Sequence, residues 1–281
     1  MPRGWTWDET LFRGSARYYA RGRLPYAVAL ADTLAAALGL DGRGRLLDVG
    51  CGPGIIALQI AHLFEEVVGL DADAAMLVEG ERRAAELGIA HARWVCTLAE
   101  DLPAGLGTFR VATFAQSFHW MDRDRVAAIV LDMLEPGGAF VQVSAPQDGA
   151  ALSGNVPYPP PPREAIRDLI VRYLGSERRA GQGVLRYGTQ NDELAVLARA
   201  GFGEPEIVTI DGGEMIVRSI DDLVAEQFSL SGSAPHLFGA QSAEFEADLR
   251  AMLVEASPSG LFALQTGDTE LRIWRASSCG D

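Results

Sequence analysis

The sequence predicts an α/β fold: a doubly wound, mostly parallel sheet with helices on both faces. Two observations carry that reading. Short apolar runs alternate with helix-length amphipathic segments through the first half of the chain, and one run feeds directly into a glycine-rich turn, Asp48-Val49-Gly50-Cys51-Gly52-Pro53-Gly54. A length of 281 residues suits one large domain or a domain with a sizeable insertion, because single cores stop growing near roughly 250–300 residues. Hydrophobic residues make up 48% and charged residues 22%, ordinary globular usage that argues against disorder.

The expected strands of the first half are Leu46-Gly50, Val67-Asp71, Ala92-Cys96, Phe109-Ala115 and Ala139-Ser144. Helices are expected at Pro53-Leu63, Asp73-Leu87 and Arg123-Leu134, the last stopped by Pro136-Gly137-Gly138. Beyond Ser144 the alternation breaks, and Pro157-Tyr158-Pro159-Pro160-Pro161-Pro162 forces an extended segment, a spacer or part of a lid. Arg163-Leu174, Glu193-Ala200, Ile220-Leu230 and Ser242-Ala256 read as helices and Glu206-Asp211 as a strand. Leu261-Thr266 and Glu270-Arg275 read as a closing hairpin. Met215, Phe228, Phe238 and Phe245 recur at core-helix spacings and are expected in the core first, in a pocket second. The division expected from this pattern is a core over residues 1–145 with an N-terminal lid helix, and a Pro-rich and helical cap over 146–190. The final core strands follow over 191–281, with a helical insertion at 212–260.

A net charge of −14 repels polyanions, so nucleic acid is not an expected partner. All basic residues are Arg, which reads as codon bias and supports no functional claim. Cys51, Cys96 and Cys279 are far apart and form no C-x-x-C pair, so neither a disulfide framework nor a zinc site is indicated. A reducing, cytoplasmic setting is the expectation, with a monomer or homodimer and no membrane partner. Met1 to Thr10 carries Asp8 and Glu9 without an apolar run and does not read as a secretory signal. No stretch approaches the roughly 20 apolar residues of a membrane span.

Glycines in the turn allow the backbone to approach a ligand, and Pro53 suits a first helical turn, where its missing N–H is not needed. A nicotinamide fingerprint would need glycine at position 55, which is Ile55. Asp71 ends the next strand roughly 20 residues on, where ribose hydroxyls are gripped in such folds. Its plainer reading is an N-cap for the helix that follows.

With these residues in place, the sequence resembles the class I methyltransferases that use S-adenosylmethionine (SAM), in the small-molecule subgroup called type 11. Phe114-Ala115-Gln116-Ser117-Phe118-His119-Trp120 resembles the family's fourth motif, and Pro136-Gly137-Gly138 before Ala139-Phe140-Val141 resembles the turn before its fifth strand. Tyr18-Tyr19-Ala20-Arg21-Gly22-Arg23-Leu24-Pro25-Tyr26 resembles a segment that closes over the cofactor. These matches run from about Phe12 to Ser144.

The resemblance implies a Rossmann-like sheet of seven strands, the last antiparallel, with a helical cap. It also implies SAM as cofactor, S-adenosylhomocysteine (SAH) as product, and a small-molecule acceptor methylated at O, N or C, secondary metabolism included. The implied cofactor contacts are Tyr19, Arg23, Asp48, Gly50, Cys51, Gly52, Gly54, Asp71, Ala72, Met76, Ala99, Glu100 and Gln116. Among them Asp71 takes the ribose hydroxyls, Met76 lies against adenine, and Tyr19 and Arg23 meet the cofactor carboxylate. In the segment Ala99-Glu100-Asp101-Leu102-Pro103 the preceding position is Leu98, where the family commonly has Asp.

His119 reads as a packing or positioning residue at the pocket mouth, with a general base as the alternative. Trp120 reads as core packing or as a pocket wall beside the sulfonium. Arg178 and Arg179 beside Glu177 read as a solvated turn. The rival readings are a SAM-binding regulator without catalysis, a nicotinamide-dependent reductase, and a nucleic-acid methyltransferase.

Overall fold

The computed structural model describes residues 8–150, 156–177 and 192–276, and the backbone of 179–180 and 183–184. Along the chain, α1 (Ala16–Gly22) and α2 (Leu30–Leu38) precede β1 (Arg45–Val49), α3 (Ile55–Gln59), β2 (Glu66–Asp71), α4 (Ala74–Glu86) and β3 (Ala92–Cys96). Next come β4 (Phe109–Ala115), α5 (Arg123–Met133), β5 (Leu134–Ser144), α6 (Arg163–Leu174), β6 (Arg179–Ala180) and β7 (Gly183–Val184). The remainder is α7 (Glu193–Ala200), β8 (Glu206–Ile210), β9 (Met215–Ser219), α8 (Ile220–Phe228), α9 (Pro235–Phe238), α10 (Ser242–Ala256), β10 (Leu261–Gln265) and β11 (Thr269–Arg275).

Seven strands form one sheet in the order β3-β2-β1-β4-β5-β11-β8. The pairs from β3 across to β5 are parallel, and β11 runs antiparallel to both β5 and β8. Because successive side chains point to opposite faces, neighbours part company: Leu46, Val67, Val111 and Val141 face α2 and α3, while Leu47, Val68, Ala112 and Phe140 face α5 and α7. On the second face Phe140 stacks on Phe114 at 4.3 Å between ring centroids and meets Trp274 edge to face at 5.8 Å. Burial on both faces is why the strands read as nearly continuous apolar runs.

Several elements depart from the sequence expectation. The helix expected over residues 53–63 is α3 followed by a 3-10 turn, Ala61–Leu63, because the backbone breaks helical geometry at Ile60. The expected closing hairpin does not form. Its two strands are present, but β10 pairs with β9, a strand absent from the sequence reading, while β11 enters the main sheet between β5 and β8. Long-range pairing, not proximity in sequence, decides which edges meet. Met215 lies in β9 and is half exposed, so it is not a core helix residue. Arg178 and Cys279 lie outside the described residues, and Arg179 opens β6.

Phe228, Phe238 and Phe245 do form a core, shared by α6, α8, α9 and α10 and separate from the two faces of the sheet. Phe238 and Phe245 stack at 4.0 Å, and Tyr18 of α1 joins by lying 5.0 Å from Phe228. The Pro-rich segment is extended, and Pro159 O accepts a hydrogen bond from Ala263 N of β10. The cap thus carries its own apolar centre, with α1 between it and the sheet. Among the described residues no helix is long and apolar enough to cross a membrane.

Trp94 of β3 explains two glycines outside the turn. A Cβ on Gly69 of β2 would lie 2.6 Å from the Trp94 ring and 3.0 Å from Cys51 Sγ, and one on Gly80 of α4 would lie 3.0 Å from the same ring. The indole fills the volume those side chains would take. Gly69→Ala is therefore expected to lower stability by about 1–3 kcal/mol in urea unfolding. In a Trp94→Ala background the same change should cost much less, and an equal cost in both backgrounds would remove the packing account.

Candidate functional site

The bend after β1 is built from backbone hydrogen bonds to β2. Gly50 N and Cys51 N both donate to Leu70 O, at 2.7 and 3.0 Å. Asp71 follows, and its carboxylate is held at two points: Gly52 N donates to Oδ2 at 2.7 Å and Asp73 N to Oδ1 at 2.9 Å. Burial raises Asp71 to about 6, against the pull of those amide bonds, so at neutral pH it is an anion with an acceptor lone pair remaining on each oxygen.

The glycines of the bend serve different ends. At Gly54, φ is +71° and a Cβ would stand 2.5 Å from the Trp94 ring, so this residue packs behind the turn. Gly52 has φ +53°, yet a Cβ there would meet only Tyr19 Cε1 at 3.8 Å. Its open side faces a cleft.

Asp48 lies under the bend and is 1% exposed. Thr113 Oγ1 of β4 donates to its Oδ1 at 2.8 Å and Ala57 N of α3 donates to its Oδ2 at 3.2 Å, which ties three elements together. Burial raises Asp48 to about 7, again opposed by those two bonds.

Of the residues singled out from sequence, Tyr19, Gly50, Gly52, Asp71, Ala72, Met76, Ala99, Glu100, Gln116 and Trp120 line one cleft at the carboxyl edge of the sheet. An adjoining chamber is lined by Tyr19, Arg23, Asp48, Gly50, Cys51, Gly52 and Gln116. Gly54 lines neither. His119 lines a third cleft, with Gln142, Ser144, Glu193 and Arg272, on the other side of Gln116. His119 and Trp120 are adjacent, with rings 4.8 Å apart, yet they serve different cavities. Gln116 borders all three spaces with φ +55°, a conformation uncommon outside glycine, and its Nε2 donates to Ala145 O at 3.1 Å. Glu100 Oε1 accepts from Asp122 N at 2.7 Å and so anchors the start of α5.

The site also contains residues to which the sequence assigned no contact. Leu11, Phe12, Leu98 and Met121 complete the apolar wall of the cleft, and Tyr26 and Gln147 close the chamber. Gln147 follows β5 and arrives only because β5 lies beside β4; its Oε1 accepts from Leu24 N at 3.2 Å. No local pattern marks it. Leu11 and Phe12 precede the recognised closing segment and had only their apolar character as a signal.

Arg23 lines the chamber. Arg23 Nη2 donates to Ser229 O at 2.7 Å, while its Nε is buried with no hydrogen-bond partner. A buried cationic donor without a partner is costly and matches a ligand carboxylate.

Comparison with known proteins bears on the fold and on its central segment. Residues 46–138 match a family described as a methyltransferase domain. An uncharacterized methyltransferase of Synechocystis is 33% identical over 102 residues, covering 35% of this chain and 46% of that protein. A ubiquinone biosynthesis O-methyltransferase of Mesorhizobium japonicum is 36% identical over 124 residues, 41% of this chain and 48% of that one. This chain therefore spans about half the length of these curated relatives. A candidate type II methyltransferase of Anaeromyxobacter dehalogenans shares the fold with a TM-score of 0.54 at 22% identity, over 91% of this chain and 98% of that one. The fold is one shared with solved methyltransferase structures. The part of the chain that matches the methyltransferase-domain family is residues 46–138.

The raised Asp48 makes stability depend on pH. Its folded value lies above the roughly 3.9 of an unfolded Asp, so the favourable contribution is complete below about pH 4 and is lost as pH rises through about 7. Asp48→Asn keeps an oxygen for Ala57 N and offers Thr113 Oγ1 a donor. Its Tm is expected to exceed the wild type's by a few degrees at pH 8 and to lose that advantage near pH 5. A pH-independent difference in thermal melts would contradict the burial of this charge.

Proposed function

We propose that this protein transfers a methyl group from SAM to a small-molecule acceptor at an O, N or C atom. The observation that carries the reading is the pairing of Asp71, fixed against Gly52 N, with the unpartnered Arg23 Nε across the same bend. Those two charges suit a ligand with a vicinal diol near its middle and a carboxylate at one end. Met76, Leu98 and Ala99 supply an apolar wall for a purine.

Bound SAM supplies an electrophilic methyl carbon on a sulfonium. No nucleophilic side chain is then needed, and the protein's task is orientation, which contributes up to roughly 7–11 kcal/mol in favourable cases. Asp71 holds the ribose hydroxyls, Arg23 and Tyr19 the amino-acid end, and Trp120 with Met121 closes one side of the cleft. The acceptor lies between the carboxyl edge of the sheet and the cap helices, as ligands do in open α/β sheets. Gln116, bordering the cofactor cleft and the His119 cleft alike, is the point where the two substrates meet. His119 is set to position the acceptor or take its proton, a contribution of roughly 10²–10⁴-fold where a base is used. A ubiquinone-type O-methylation among the relatives supports a small-molecule acceptor.

Calorimetry with SAH tests the cofactor. Wild type should bind it and not a nicotinamide dinucleotide, and Gly52→Ala and Asp71→Asn should each weaken binding about tenfold or more. Wild-type affinity should also fall as pH drops through about 6, where Asp71 takes up a proton. An absence of heat or melting shift with SAM and SAH ends the reading.

His119→Ala should lower turnover while leaving SAH affinity within about twofold, because the ring lies outside the cofactor cleft. Unaltered turnover on the true acceptor would discard the base role.

A further inference from the structure

The last carbonyls of a helix lack partners within it and must find donors elsewhere. At the end of α1 the donor is Arg218 of β9, a side chain 6% exposed. Its Nη2 donates to Arg21 O at 3.1 Å and Gly22 O at 2.9 Å, and to Asp222 O of α8 at 3.0 Å; its Nη1 reaches Arg23 O at 3.5 Å. Gly22 lies so close to α8 that a Cβ would stand 2.3 Å from Ala225 O. Asp222 Oδ1 also accepts from Arg21 Nε at 2.7 Å, while Asp222 itself completes a capping box with Ser219 at the start of α8. Behind this contact Arg163 of α6 pairs with Glu226 of α8. The carboxyl end of α1 thus rests on the insertion between β8 and β11.

The same end of α1 carries the two residues that face the cofactor chamber. Arg23 lies over the Tyr19 ring at 4.6 Å, and its free Nε depends on Nη2 being held by Ser229 O at the end of α8. A guanidinium can serve several carbonyls at once in a fixed fork, which an ammonium cannot.

We infer that Arg218 is a positioning residue for cofactor binding, acting through the carboxyl end of α1 to aim Arg23 and Tyr19 at the amino-acid end of SAM. This rests on the function proposed above. The cap that covers the acceptor also sets the cofactor's grip, so the two ligands share one structural element.

The test compares SAH with 5′-methylthioadenosine, which lacks the amino-acid carboxylate and amine, by calorimetry on the full chain. In Arg218→Met the Kd for SAH should rise about tenfold or more, with partial recovery in Arg218→Lys, while the Kd for methylthioadenosine should stay within about twofold. A general loss of structure would weaken both ligands together. Gly22→Ala, which drives α1 away from α8 without altering a group in the chamber, should reproduce the selective loss if Arg218→Met does not fold. Equal weakening of both ligands, or no change in either, overturns the positioning role while leaving the cofactor reading intact. Failure of the wild type to bind either ligand overturns the cofactor reading, and this inference with it.

Discussion

The carbonyl of Leu70 holds the site together. It accepts from Gly50 N and Cys51 N, so the chain leaving β1 cannot turn without being bound to the end of β2. Asp71 follows on the same strand and accepts from Gly52 N, which brings a carboxylate to within hydrogen-bond distance of the one glycine whose side-chain position opens on the cleft. Two adjacent residues of β2 therefore shape the bend and supply its anion. Parallel pairing of β1 with β2 is what puts them opposite each other.

Burial of charge follows from that arrangement. Asp48 and Asp71 both lie under or beside the bend, and both are pushed up by loss of water. Their hydrogen bonds recover part of the cost. Asp48 uses both oxygens to join β1, β4 and α3, a structural duty consistent with its place at the floor of the chamber, while Asp71 keeps acceptor capacity on the cleft side. The two carboxylates lie on adjacent strands, β1 and β2, and divide the work by depth.

The cap adds a second constraint. Its phenylalanines form a core separate from the faces of the sheet, and α1 lies between that core and the cleft beside Gly52. Tyr18 points into the cap and Tyr19 lines the cleft, so consecutive residues of one short helix connect two packing centres. Hydrogen bonds from Arg218 to Gly22 O and from Arg23 to Ser229 O join the end of α1 to the insertion.

By itself the sequence determined the parallel core, the glycine bend and Asp71, because strand periodicity, glycine content and carboxylate spacing are local properties that survive without neighbours. β3, β4, α6, α7 and α10 stand at the residues expected, since each is bounded by turn or helix-stop chemistry. Tertiary structure alone decided the rest. It sent β10 to β9 and β11 between β5 and β8, brought Gln147 to the chamber, and set Arg218 against α1. Those are contacts between residues far apart in sequence, and no local pattern encodes a partner that only the completed sheet and cap bring near.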